Sequence, residues 1–425
     1  MGQIKDKATR ALKRAQELGD ERGRIFVELN EARILADAAA LDAARASNQT
    51  LPLYGLTVSL KDLFDEAGKR TTAGSTVLQD IDPARHDAEV VTRLKTAGAL
   101  LFGRTNMTEF AYSGVGANPH HGTPGCIFDP LRAPGGSSSG AALSVAHGLC
   151  DIAMGTDTGG SVRLPAAING LYGFKPSSQS VSLKGVHPLS PSYDSAGPLA
   201  SSLDKVELCL NVIRNNPLEQ TRFDRPLKLA IPEDTFTEGL DQSIAEAFHE
   251  SVHRLNEAGH EIHLVSFAGL DEMSSALRMT VSAEAQSYYK DYLEQLKTQG
   301  DPNVLARLHQ SDGMSAADVE ACQKRRLVAI ELFNRQLSDM DALLTPTTLC
   351  ERPLMSEAEQ DFGAVNGALL RNTTYINLVN GCAMSIPVPR AEMPPSSLMV
   401  CGANDNDASV MAASRIIDQV LQAPS

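Results

Sequence analysis

The sequence predicts an α/β protein built on a large mixed, mainly parallel β-sheet flanked by helices. Two observations carry this. A helix, a glycine stop and a short apolar strand recur three times: HDAEVVTRLKTAG then ALLFGRTN, AALSVAHGL then CDIAMGTD, and IAEAFHESVHRLNEAG then HEIHLVSF. That rhythm is the signature of strands joined by helical crossovers. The 425 residues are also 42% hydrophobic and 21% charged, which is ordinary globular composition and enough chain for a large core.

In chain order, residues 4–46 read as helical, IKDKATRALKRAQEL and then RIFVELNEARILADAAALDAARA, with apolar residues at three- and four-residue spacing. The turn NQTLP precedes YGLTVSL, an alternating β-branched run predicted to be a strand ending at Lys61-Asp62. The three helix–glycine–strand units follow. Residues 270–340 carry almost unbroken helical pattern and are predicted to be an insertion or lid. DALLTPTT resumes the sheet, and SVMAASRIIDQVL supplies a closing helix. No linker, repeat or low-complexity stretch divides the chain. Residues 1–425 are therefore read as one domain, with N-terminal helices over 1–50.

The formal net charge is -14, and no run of Lys or Arg stands out. Nucleic acid and anionic membrane surfaces need clustered positive charge, so neither is an expected partner. Seven cysteines are scattered without a CxxC pair, which argues against a disulfide framework or a thiolate zinc site. No apolar leader or membrane-length segment is visible. A soluble, cytoplasmic protein is expected.

Two glycine- and serine-rich stretches, GGSSSG at 135–140 and GTDTGGSVRLP at 155–165, raise the functional question. A linker is excluded because the intervening AALSVAHGLCDIAMG is apolar and patterned as helix then strand. A phosphate cradle needs GxxxxGK[ST] or GxGxxG, and neither is present. An acyl-transfer site fits better. DTGGSVR follows a strand, so Ser161 falls on a tight turn where Gly159 and Gly160 let backbone N–H groups converge on a developing oxyanion.

Such a serine needs a base. None of the ten histidines sits in a setting that marks a Ser-His-Asp triad. Lys61 ends a strand among Leu60, Leu63 and Phe64, and burial would lower its pKa enough to make the amine a base. A lone strand-end lysine is more commonly a surface residue, and composition alone does not choose between the two readings.

LYGLTVSLKDLFDEAGKRTTAGS (53–75), GRTNMTEFAYSGVGANPHHGTPGCIFDPLRAPGGSSSG (103–140), MGTDTGGSVRLPAAINGLYGFKPS (154–177) and GVHPLSPSYDSAGPLASSLD (185–204) together resemble the amidase signature family of serine hydrolases. Weaker echoes lie in MDALLTPTT and YINLVNGCAMSIPVP. The resemblance implies the amidase signature fold and hydrolysis of small primary amides with release of ammonia, without cofactor or metal. It implies a catalytic triad of Lys61, Ser137 (after a cis peptide bond) and Ser161, with oxyanion N–H groups from Thr158, Gly159, Gly160 and Ser161. The loop 105–116 should line the acyl pocket, making Phe110, Tyr112 and Gly114 candidate contacts. Arg132, Arg163 and Arg371 are candidates for a substrate carboxylate, with structural ion pairs favoured for the first two. Ser139 departs from the family, which has glycine there.

Two other readings compete. One branch of the family is the glutamine-hydrolysing A-type subunit of tRNA-dependent amidotransferases, which works with partner chains. This chain is shorter than that branch, and the stand-alone amidase, with a small-molecule amide as partner, is preferred; a homodimer is compatible with it. HESVH at 249–253 spells HExxH, the zinc hydrolase signature, through His249 and His253. Its helix has Ile244, Phe248, Val252 and Leu255 inward, which puts both histidines toward solvent, and no third ligand follows at a familiar spacing.

Overall fold

A computed structural model describes residues 2–45 and 50–423. Residue 46 of the expected second helix and the first two residues of the NQTLP turn lie outside the described residues. Eleven strands form one sheet: β1 Phe26–Glu28, β2 Thr57–Lys61, β3 Leu100–Thr105, β4 Ile152–Thr156, β5 Tyr172–Lys175, β6 Ala196–Ala200, β7 Lys228–Pro232, β8 Glu261–Val265, β9 Ala342–Pro346, β10 Cys382–Arg390 and β11 Met393–Gly402. Their order across the sheet is β1-β3-β2-β4-β6-β5-β10-β11-β9-β7-β8.

Helices cover both faces, so alternate residues of one strand enter different cores. Leu398 and Val400 pack with Val58 and Leu60 in one apolar cluster, under helices Leu203–Ile213 and Asp407–Gln422. Met399 and Cys401 turn to the opposite face, into a second cluster with Leu277, Val281 and Phe333 from the helical stretch 270–336. A third cluster seats helices Gln3–Glu17 and Ser139–Ala146 on that same side of the sheet, against Phe102 and Ala153.

The helix–glycine–strand units form as read. Gly98 follows helix Glu89–Thr96 with φ +84°, the left-handed stop that returns the chain to β3. The mixed sheet flanked by helices stands, but it is not mainly parallel. Among the described residues, β2 pairs in parallel with β3 and β4, and β7 with β8 and β9. The six other pairings are antiparallel. The parallel ends are the strands reached by helical crossovers; the middle is closed by hairpin-like returns such as β10 to β11, where Arg390 pairs with Met393. Those middle strands give little β signal. β6 is AGPLA, and β10 and β11 together hold four prolines, which ordinarily argue against a strand.

One N-terminal expectation also changes. The run read as a single helix over 24–46 is broken by β1, where Phe26 pairs with Thr105 and its ring stands 6.1 Å from that of Phe102. An open sheet edge and an aromatic contact outweigh helical periodicity over those three residues. The seven cysteines are free thiols, six of them buried. Among the described residues, no helix is long and apolar enough to cross a membrane.

Candidate active site

Strand parity places the first group. Along β2, Val58 and Leu60 enter the apolar cluster, so Ser59 and Lys61 face the other side, where Ser59 Oγ lies 2.8 Å from Ser144 Oγ on helix Ser139–Ala146. Lys61 is wholly buried. Its Nζ is 2.7 Å from Ser137 Oγ and 2.9 Å from Thr156 Oγ1, at the end of neighbouring β4. Burial strips the ammonium of water and brings the pKa down to about 7, against the opposing pull of Asp157 and Asp194.

Ser137 lies on the segment entering helix Ser139–Ala146, after a cis Gly136–Ser137 peptide bond. Its carbonyl accepts from Thr108 N–H at 3.1 Å. A Cβ on Gly136 would stand 2.7 Å from the backbone of Gly116, so the two loops touch main chain to main chain. Ser139, where the family has glycine, is buried, and its hydroxyl has no partner among the described residues.

Ser161 leaves the turn after β4, and Asp157 organises that turn. Its carboxylate accepts from the N–H groups of Gly160 at 2.9 Å and Val162 at 3.2 Å, and forms a buried ion pair with Arg163 at 2.8 Å. The Arg163 guanidinium holds the Asp157 carboxyl down at about 2 despite its burial. Helix Phe362–Leu378 braces the turn from outside: the hydroxyls of Thr373 and Thr374 donate to the Gly159 carbonyl at 2.7 and 3.1 Å. Gly160, expected among the oxyanion donors, therefore has its N–H committed to Asp157. The N–H groups of Thr158, Gly159 and Ser161 have no partner among the described residues.

Ser161, Thr158 and Gly159 lie on the wall of a cavity of about 280 Å³. Tyr112 is on that wall too, but Phe110 and Gly114 are not. Phe110 turns inward and stacks on Tyr289 at 3.8 Å between ring centroids. Gly114 acts one step behind, its N–H donating to Asn366 Oδ1 at 2.8 Å, and a Cβ there would strike Leu370. Arg132 and Arg163 are both tied into structure, Arg132 to Asp129 and to the carbonyl of Arg352. Arg371 does reach the cavity.

Sequence reading did not single out Thr156, which touches Lys61, or Asp271, Arg278 and Arg307, which line the cavity, since nothing local marks a residue that only tertiary packing brings there. It also missed Asp194, a half-buried residue whose carboxyl is raised to about 6 by desolvation and accepts from the Thr158 hydroxyl at 2.5 Å. His249 and His253 are exposed on helix Gln242–Glu257, His253 beside Glu257 at 3.4 Å. Among the described residues no three His, Cys, Asp or Glu side chains are grouped to hold a metal ion.

Comparisons with known proteins give the family. The Amidase family profile matches residues 7–411. The chain is 33% identical over 363 residues to the A-type subunit of the glutamyl-tRNA(Gln) amidotransferase of Pseudomonas syringae pv. syringae, covering 76% of this chain and 75% of that one. It is 31% identical to the 2-amino-5-chloromuconic acid deaminase of Comamonas testosteroni, over 84% and 79% of the two chains. A crystal structure of an amidase superposes with a TM-score of 0.91 at 29% identity, covering 99% of this chain and 96% of that one. The chain belongs to the amidase signature family, and it is a hydrolase of carbon–nitrogen bonds in non-peptide amides.

Proposed function

We propose that the protein hydrolyses small primary amides through an acyl-enzyme on Ser161. The observation that carries this is Lys61, a buried amine with its pKa near 7, in contact with Ser137 and with Thr156, which lies two residues before Thr158 on the cavity wall that also holds Ser161. At neutral pH a large fraction of that amine is uncharged and able to take a proton. Lys61 receives the Ser137 proton as Ser137 receives that of Ser161, and Ser161 Oγ adds to the amide carbonyl. The oxyanion is met by the unpaired N–H groups of Thr158, Gly159 and Ser161. The relay then runs back, the C–N bond breaks, and nitrogen leaves as ammonia. Water activated by the same pair releases the acid and frees Ser161.

Ser161 makes no side-chain hydrogen bond among the described residues. The relay requires its hydroxyl to turn toward Ser137 on substrate binding, the tightening expected between free enzyme and complex.

A second reading, a glutamine-hydrolysing subunit that needs partner chains, is favoured by the similarity to the A-type chains of amidotransferases. Ammonia release from a panel of amides tests both, with wild type and Ser161→Ala side by side and each with and without chelator. The proposal expects turnover by the isolated chain that Ser161→Ala abolishes and chelator leaves alone. Turnover that survives Ser161→Ala and dies with chelator would overturn it. Turnover of glutamine only after partner chains are added would favour the second reading.

A further inference from the structure

Among the described residues, each of the three buried arginines faces a carboxylate. Arg104 pairs with Asp62 at 2.6 Å, Arg163 with Asp157 at 2.8 Å and Arg352 with Glu351 at 3.4 Å. The cavity beside Ser161 breaks that pattern. Arg278, Arg307 and Arg371 all line it, each from a different helix: Leu270–Tyr289, Pro302–Leu308 and Phe362–Leu378. Among the described residues none of the three has a carboxylate within ion-pair distance.

Their hydrogen bonds leave donors over. Arg278 Nη1 donates to Ser274 Oγ at 3.0 Å, and Arg371 Nη2 to the Glu238 carbonyl at 2.5 Å. Arg307 is half-buried with its guanidinium 4.4 Å above the Tyr112 ring, and its buried Nε has no partner among the described residues. Burial and the like charge of Arg278 both press it below the ordinary guanidinium range. Among the described residues the one acid on the wall is Asp271, whose Oδ1 already accepts from the Tyr375 hydroxyl at 2.5 Å. Three cations against one engaged carboxylate leave a positive excess in a partly desolvated space, where a bidentate anion gains most.

The arginine nearest to being buried is also held firmly. The N–H of Asp301, which caps its helix, donates to the buried Glu109 carboxylate at 2.7 Å, and that carboxylate also accepts from Ser75 Oγ at 2.6 Å. The remaining wall includes Leu189, Leu277, Val281 and Leu370, suited to a short methylene chain.

We propose that the substrate is the monoamide of a short aliphatic dicarboxylic acid, its amide at Ser161 and its free carboxylate held by Arg307 and Arg371, with Arg278 at the rim. This rests on the serine amidase reading above. The carboxylate takes no part in the chemistry: the Ser161 Oγ–C bond forms, the C–N bond breaks, ammonia leaves, and water restores the serine while releasing the dicarboxylate. An α-ammonium group has no free acid to meet, so the amino-acid amides are the poorer substrates.

The test is a kcat/KM series over the monoamides of malonic, succinic and glutaric acid, the neutral butyramide, and glutamine. Wild type, Ser161→Ala, Arg307→Met and Arg371→Met are compared, with the acids succinate and glutarate titrated calorimetrically. Wild type should favour a monoamide over butyramide, and each arginine variant should cut that preference about 10- to 100-fold, the worth of a charged hydrogen bond. Dicarboxylate binding should weaken in the same variants, a readout available even without turnover. Ser161-dependent turnover of butyramide matching the monoamides, or glutamine exceeding glutaric acid monoamide, would overturn the proposal while leaving the amidase reading intact. Turnover indifferent to Ser161→Ala would instead overturn the amidase reading. Wild type that binds neither dicarboxylate would also overturn the proposal.

Discussion

Replacing Lys61 with methionine separates the cost of a buried amine from its use. Lys61 is wholly buried and its pKa falls from 10.5 to about 7, with desolvation the largest cause. Between those values the unfolded chain holds more protons than the folded one, so the penalty is fully present below pH 7 and fades as pH rises toward 10.5. At pH 7.5 it is roughly 4 kcal/mol and at pH 9.5 roughly 1 kcal/mol, from about 1.4 kcal/mol per unit. Lys61→Met removes it but leaves Ser137 and Thr156 short of a partner, at a loss of about 1–2 kcal/mol each. That second cost does not depend on pH. Urea denaturation of both proteins at pH 7.5 and 9.5 should therefore show the variant losing about 2–3 kcal/mol relative to wild type across the interval. All other titrations are common to the pair. A stability difference that stays flat between the two pH values would refute a neutral buried Lys61, whatever its sign.

The same titration governs rate. kcat/KM should rise about tenfold from pH 6 to pH 8, following deprotonation of a base near 7; a flat profile would deny Lys61 the role of base. Gly160→Ala should abolish activity, because a Cβ would stand 2.1 Å from Thr373 Oγ1 at φ +136°, whereas Gly159→Ala meets only Thr374 Oγ1 at 3.3 Å and should keep more turnover. Asp157→Asn should destabilise by about 3–5 kcal/mol in thermal or urea unfolding, since it leaves Arg163 buried without its counter-charge. His249→Ala and His253→Ala should change neither ammonia release nor stability measurably, because both side chains are solvated.

The elements legible in the sequence are those whose identity is local. β2 to β4 and their helices announce themselves through period and glycine stops, and the Gly/Ser stretches carry Ser137 and Ser161 within a readable block. Lys61 was ambiguous until the fold showed Ser137 and Thr156 closing over it. The central antiparallel strands were not legible, because AGPLA and the proline-bearing β10 and β11 are held in the sheet by neighbours rather than by propensity. β1 was hidden inside a helical pattern. The cavity wall was least readable of all: Arg371 and Tyr112 could be singled out but not placed, and Arg278 and Arg307 reach the same cavity only through the packing of their helices.

The central claim is a covalent intermediate on Ser161, and hydroxylamine competition tests it most directly. During turnover of an accepted amide, an acyl-enzyme must partition between water and the added nucleophile. The account predicts hydroxamate that grows with hydroxylamine at the expense of acid, and none from Ser161→Ala. Acid as the sole product at every hydroxylamine concentration, or hydroxamate formed equally by Ser161→Ala, would contradict it.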